Sequence, residues 1–215
     1  MRELPGYYPA FLNINGRRCV VIGGGLVAQR KVRMLLECGA TVVVISPDYC
    51  AGLDQMVENG EIQAIRRHYQ AGDLRGAKVV IAATDDKNIN REIVREARNE
   101  AVLANVVDDA ELSDFIVPAY LRRGDVTIAV STAGTSPALA RKIKARLEKE
   151  FGEEYAALVR LIGEVRRQIR QQGVEVDGDT WQEAIDLDWL IELLRAGNSD
   201  KAKSVLLDNL MARQK

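Results

Sequence analysis

The stretch CVVIGGGLVAQRK, residues 19–31, constrains the fold more than any other part of the chain. A short apolar run, Cys19 to Ile22, leads directly into Gly23, Gly24 and Gly25, and an amphipathic segment begins at once with Leu26 and Val27. Gly23, Gly25 and Ala28 stand at the spacing G-x-G-x-x-A, which needs a buried strand before it and a helix after it. Gly23 then permits a tight turn, Gly25 lets a pyrophosphate approach the backbone, and Ala28 lets helix and strand pack closely. The amides of Leu26, Val27 and Ala28 in the first helical turn complete an anion site.

The same alternation continues downstream. Runs at 19–22, 41–45, 61–66, 78–83 and 102–106 read as strands, with helical patterns between most of them. In the first helix Leu26, Val27, Val32, Leu35 and Leu36 fall near one face, and Gly39 closes it. A second helix is expected at 87–100. Strand, helix, strand at this spacing forms a right-handed parallel crossover, so residues 1–113 are expected to fold as a doubly wound, Rossmann-type α/β sheet. After Asp114 the pattern changes. FIVPAYLRRGDVTIAVST holds two β-rich runs joined by Arg-Arg-Gly-Asp, a hairpin signal, and a helix follows. Residues 114–148 thus read as a small α+β region. Residues 149–215 read as a helical domain, with patterns at 153–172, 180–196 and 199–213.

Composition narrows the partners. The 215 residues are 47% hydrophobic and 28% charged, as a folded chain requires, and 30 basic against 31 acidic side chains give no bulk field for nucleic acid or an anionic membrane. An anionic ligand must be met locally, and the basic excess sits in residues 1–148, which carry 20 basic and 18 acidic side chains. Cys19, Cys38 and Cys50 lack a CxxC spacing and fit thiols in a reducing compartment. With His68 as the single histidine, no metal site is expected. No apolar run reaches signal-peptide or membrane-span length, so the expectation is a cytoplasmic protein.

Candidate site residues cluster at strand ends. Ser46, Pro47 and Asp48 follow the second strand, where an acidic residue binds the adenosine ribose, and no arginine follows immediately to meet a 2′-phosphate; NAD is therefore the expected cofactor. Thr84 and Asp85, with Asp86, end the fourth strand, where a doubly wound sheet has its ligand crevice, although the same residues suit a helix N-cap. In NVVDD, Asn105, Asp108 and Asp109 leave the last parallel strand at a position suited to a general base. In STAGTSPALARKIKARLE, Ser131, Thr132, Gly134, Thr135 and Ser136 lead into a helix with Pro137 in its first turn, and Arg141 and Lys142 follow. This is either an anion site or a well-capped helix with a solvated basic face.

GGGLVAQRK, IAATDDKNIN, NVVDDAELSDFIVPA and VSTAGTSPALARKIKARLE together resemble the precorrin-2 dehydrogenase family, the oxidase/ferrochelatase module of siroheme synthase, over about residues 5–150. The resemblance implies NAD-dependent oxidation of precorrin-2, a polycarboxylate tetrapyrrole, to sirohydrochlorin by a homodimer, with insertion of iron or cobalt in some members. It implies Asp108 as the catalytic carboxylate, residues 114–148 as the dimerisation region, and the segment from Ser131 to Lys142, with Asn105, as the substrate receptor. Thr132 and Ala133 depart from the Ser-Gly often found there. Over 215 residues no fused methyltransferase is expected, and methylation is expected to come from another protein. The rival reading is a Rossmann module that senses nucleotide without catalysis.

Overall fold

The computed structural model describes residues 6–213. Residues 1–5, the start of the expected nucleotide-binding region and of the family resemblance, lie outside the described residues, as do the last two of the helical region. The chain divides into two compact units after Val117.

The first unit is a five-stranded parallel sheet in the order β3-β2-β1-β4-β5. Its strands are β1 (Arg18–Ile22), β2 (Thr41–Ile45), β3 (Gln63–Ile65), β4 (Val79–Ala82) and β5 (Leu103–Val106), and its helices are α1 (Leu26–Glu37), α2 (Ala51–Glu58) and α3 (Lys87–Asn99). Because helices cover both faces, the central strands are continuous apolar runs and not alternating ones. Cys19, Val21, Val42, Val44 and Ile81 pack with Ala28, Val32 and Leu35 of α1 and Leu53 of α2. Val20, Val43, Val80, Ala104 and Val106 pack on the other face with Ile93, Val94 and Ala97 of α3. Burial pushes the Cys19 thiol up to about 11, so it behaves as a small hydrophobe, and none of the cysteines forms a disulfide.

The expected apolar face of α1 is partly corrected. Ala28, Val32 and Leu35 are buried, but Leu26 is 74% and Val27 40% exposed. Ala28, in the same first turn, takes the place against the sheet, and Leu26 and Val27 lie off the buried stripe. The helix ends through Gly39, whose N–H bonds Leu36 O while that of Ala40 bonds Leu35 O, the pairing of a Schellman stop. Expected strand 61–66 shrinks to β3, since only Gln63–Ile65 pairs with β2. No helix joins β3 to β4. That crossover is held by polar bonds instead: Arg18 Nη1 donates to Asp73 O and Arg75 O, Leu74 N to Glu96 Oε1, and the Tyr69 hydroxyl to Glu96 Oε2.

The edge strand β5 is covered by its own continuation. Ala104 N donates to Asp114 Oδ2 at 2.9 Å, Asp114 N returns to Ala104 O, and Val106 N donates to Ser113 Oγ. Side chains thereby satisfy a ladder that would otherwise stay open.

In the second unit β6 (Ala119–Arg123) and β7 (Val126–Val130) form an antiparallel hairpin, followed by α4 (Pro137–Glu150). Helices α5 (Glu154–Gln171), α6 (Gly178–Ala184), α7 (Leu187–Arg195) and α8 (Ser199–Ala212) enclose a core of Leu161, Val165, Leu190, Leu206 and Leu210. The expected single helix 180–196 is two, because Ile185 is extended and Asp186 starts a new N-terminus by accepting from Trp189 N.

Candidate functional site

Loops emerge at the C-terminal ends of the five parallel strands, the edge where open α/β sheets bind ligands. The loop after β1 is the tightest. Gly23 has φ +124, and a Cβ there would lie 2.2 Å from Ala83 O, so only glycine lets β1 turn against β4. A Cβ on Gly24 would lie 1.8 Å from Asp48 O, and Gly24 O accepts from Cys50 N, which packs the loop after β2 on the glycine loop. Around Gly25 nothing lies within 4 Å of a Cβ. This leaves a backbone cradle open at the start of α1, as a dinucleotide pyrophosphate requires. Gly24 escaped the spacing argument, since its demand comes from the loop after β2 and not from the ligand.

Ser46 and Asp48 stand beside this cradle. Ser46 Oγ would lie 2.8 Å from a Gly24 Cβ, and Ser46 N bonds Ile65 O, so Ser46 extends the β2–β3 ladder while Pro47 and Asp48 are exposed. After β4, the two acids part company. Asp86 caps α3 by accepting from Asn88 N and Ile89 N, and Thr84 is tied to Asn90 and Asp86, whereas Asp85 is exposed. The N-cap reading holds for Asp86.

NVVDD resolves in the same way. Asp109 Oδ1 accepts from Leu112 N, and the Ser113 hydroxyl donates to Asp109 O at 2.6 Å, so Asp109 serves its own turn. Asp108 is exposed at φ +60, one of three non-glycine residues with positive φ among those described. Its conformation is sterically unfavourable for most side chains and is imposed by the pinned turn that follows. Asn105 in β5 is buried; its Nδ2 donates to Phe115 O at 2.9 Å, and its Oδ1 has no partner. Sequence reasoning passed over Lys31. Half-buried in α1, its ammonium is held below its ordinary value by burial and by Arg30, while the Asp108 carboxylate opposes that shift. Lys31 thus stands within electrostatic reach of Asp108.

In the second unit Ser131 Oγ accepts from Ala133 N, Thr132 Oγ1 from Ser136 N, and Ser136 Oγ from Leu139 N. Ser136 is the expected N-cap with Pro137 behind it. The loop turns through Ala133 at φ +50 and Gly134 at φ +84, with Gly134 and Thr135 exposed. Each hydroxyl oxygen is spent on a backbone amide, so the hydroxyl protons remain for an anion. Arg141 and Lys142 are exposed, while Lys144 and Arg146 pair with Glu148 and Glu150 along α4. Among the described residues, no helix is long and apolar enough to cross a membrane.

A glycine cradle between β1 and α1 on a parallel sheet defines a Rossmann-type nucleotide-binding protein. Residues 10–119 match the family described as "Putative NAD(P)-binding", and residues 123–150 match "Sirohaem biosynthesis protein central". The chain is 36% identical over 202 residues to a siroheme synthase of Nitrosococcus oceani, covering 93% of this chain and 43% of that protein. It is 39% identical over 165 residues to one of Azotobacter vinelandii, covering 77% of this chain and 36% of that protein. It therefore spans about two fifths of the curated relatives it matches. The solved structure titled SirC, precorrin-2 dehydrogenase, shares the fold with a TM-score of 0.72 at 24% identity, covering 96% of this chain and all of that one. The chain belongs to the family described as putative NAD(P)-binding, is similar over most of its length to part of the siroheme synthases, and its cofactor is a nicotinamide dinucleotide.

Proposed function

We propose that this chain oxidises precorrin-2 to sirohydrochlorin in the cytoplasm, with NAD as the hydride acceptor. The observation that carries the reading is the division of labour in NVVDD: Asp109 is consumed by its turn, and Asp108 presents a carboxylate at the same sheet edge as the glycine cradle. Oxidation removes two hydrogens, one as hydride and one as a proton. The bound nicotinamide supplies the hydride acceptor. Gly23, Gly25 and the first turn of α1 hold its pyrophosphate, Ser46 to Asp48 its adenosine ribose, and Thr84 and Asp85 flank the crevice. Asp108 accepts the proton, and Lys31 offsets the carboxylate's charge.

The substrate is a polyanion that a chain of net charge −1 does not attract as a whole. Its carboxylates are met by the hydroxyl protons of Ser131, Thr132 and Ser136, by the loop at Gly134 and Thr135, and by Arg141 and Lys142. Asn105 Oδ1, an acceptor, suits an N–H donor of the substrate and not its carboxylates. The three regions 1–113, 114–148 and 149–215 keep their assigned roles in this reading, and the chain works as a homodimer. Support for the dimer is α4, which buries only Ala140 and leaves Leu139 49% and Ile143 37% exposed.

Anaerobic conversion of precorrin-2, followed by absorbance with NAD, with NADP and without nucleotide, tests the reading. NAD-dependent sirohydrochlorin formation that drops at least a hundredfold in Asp108→Asn, with nucleotide binding retained, is the expected result. Nucleotide binding without turnover in the wild type would establish the sensor instead. Added ferrous or cobaltous ion shows whether the same chain also inserts metal.

A further inference from the structure

The residue after β3 reaches the nucleotide end of the sheet although the strand order hides it in the sequence. Ile45 pairs with Ile65 in the parallel β2–β3 ladder, and Ser46 N bonds Ile65 O at 3.2 Å, so Arg66 leaves β3 level with Ser46. Its guanidinium carbon sits 4.6 Å from the centre of the Tyr49 ring. Tyr49 is itself fixed, its hydroxyl donating to Val44 O at 2.8 Å. One terminal nitrogen of Arg66 donates to Asp54 Oδ1 at 2.6 Å. The side chain remains 54% exposed, and among the described residues the rest of its fork is unengaged.

A continuous series of contacts leads from the cradle to this arginine. Gly24 touches Asp48 O, Asp48 precedes Tyr49, and Tyr49 carries Arg66 on its face. Asp48 also lies near enough to act on the Arg66 charge. The position one strand outward from the ribose carboxylate is where a dinucleotide with its pyrophosphate on Gly25 extends its adenosine. There the guanidinium is pre-aligned, by a ring on one side and a carboxylate on one nitrogen, with its remaining N–H groups facing solvent. A planar fork of this kind matches phosphate oxygens, and holding it in place lowers the entropy lost on binding.

We infer that Arg66 selects the cofactor by receiving a 2′-phosphate at the ribose corner, so that this chain binds NADP as well as NAD. Asp48 favours the 2′-hydroxyl of NAD and repels a 2′-phosphate; Arg66 counters that repulsion. The inference rests on the glycine loop being a dinucleotide cradle, but not on the tetrapyrrole as substrate.

Calorimetric titration of the full chain with NAD and with NADP tests it, using wild type, Arg66→Gln and Arg66→Lys. The wild type should bind NADP within about tenfold of NAD. Arg66→Gln should weaken NADP by about tenfold or more while NAD changes by less than about threefold, and Arg66→Lys, which keeps charge but not the fork, should fall between for NADP. If NAD binds and NADP does not, or if Arg66→Gln weakens both equally, Arg66 only pins the loop and the inference fails. If neither dinucleotide binds the wild type, the cradle reading itself fails.

Discussion

β1, β2 and β4 are buried along almost their whole length, whereas β6 and β7 together bury one residue, Leu121. β7, Val-Thr-Ile-Ala-Val, is as rich in valine, isoleucine and alanine as the parallel strands, so composition alone does not explain the contrast. Coverage does. The parallel strands are closed by helices on both faces, while α4 buries only Ala140. The first unit is complete as a folded object, and its opening at Gly25 is reserved for a ligand. The hairpin and α4 leave apolar side chains uncovered, and in the proposed dimer the second copy covers them. One region is therefore intolerant of added volume, and the other is tolerant until it meets a partner.

The sharpest test of that contrast lies within three consecutive glycines. Gly24→Ala places a Cβ against the Asp48 carbonyl, and backbone atoms have to move; the expected loss is about 4 kcal/mol, seen as a collapse of the thermal midpoint. Gly25→Ala meets no atom and should unfold within about 0.5 kcal/mol of the wild type, yet lose dinucleotide binding. Equal unfolding curves for the two variants would show that the loop after β2 does not press on the cradle.

A second comparison sets a finished core beside the uncovered face. Leu206 is fully buried among α5, α7 and α8, and Leu206→Ala should lower stability by about 3 kcal/mol in denaturant titration. Leu139→Ala, on the exposed side of α4, should change monomer stability by less than about 0.5 kcal/mol. Leu139→Glu should shift the sedimentation profile toward monomer. A protein that sediments as a monomer at every concentration before any substitution would remove the dimer from the proposal.

These contrasts mark what the sequence makes legible. The strand-to-glycine junction at Ile22–Gly23, the hairpin at Gly124 and the Ser136 cap are local, set by a few neighbouring residues, and each stands where the pattern puts it. Arg66, Gly24 and Lys31 acquire their places through strand order and loop packing, which periodicity does not encode. NVVDD offers two acids of identical type. Only the Leu112 amide and the Ser113 hydroxyl, several residues further on, separate the structural Asp109 from the open Asp108. Leu26 and Val27 mislead because apolar character alone counted them in: at about 100° per residue they stand roughly 100° to 150° from the centre of the buried stripe of Ala28, Val32 and Leu35.

The crossover between β3 and β4 sharpens the comparison at lower amplitude, since it is the part of the first unit closed without a helix. The Arg67 guanidinium, with help from the Gln70 amide, holds the Asp73 carboxyl below its ordinary value of 3.8. A depressed folded-state value means that the native state favours the carboxylate. The contribution is present above pH 3.8 and is lost as pH falls through the folded value. Asp73→Asn should therefore cost about 1 kcal/mol at neutral pH and nothing measurable once the carboxyl is protonated in both states. A penalty independent of pH would assign the effect to packing.

The smallest effect concerns the loop before α4, where Ala133 holds φ +50. Left-handed backbone disfavours alanine by about 1 kcal/mol, whereas glycine adopts it freely. Glycine also enlarges the unfolded ensemble, which takes back about 0.5 kcal/mol or more. Ala133→Gly should thus stabilise by no more than about 0.5 kcal/mol, read as a small rise in denaturant midpoint at constant slope. The sign is informative because Ala133 N is already bonded to Ser131 Oγ. A gain would mean that this bond holds alanine in a strained backbone that glycine relieves. A loss above about 1 kcal/mol would mean that alanine's restricted backbone is itself what keeps the loop folded.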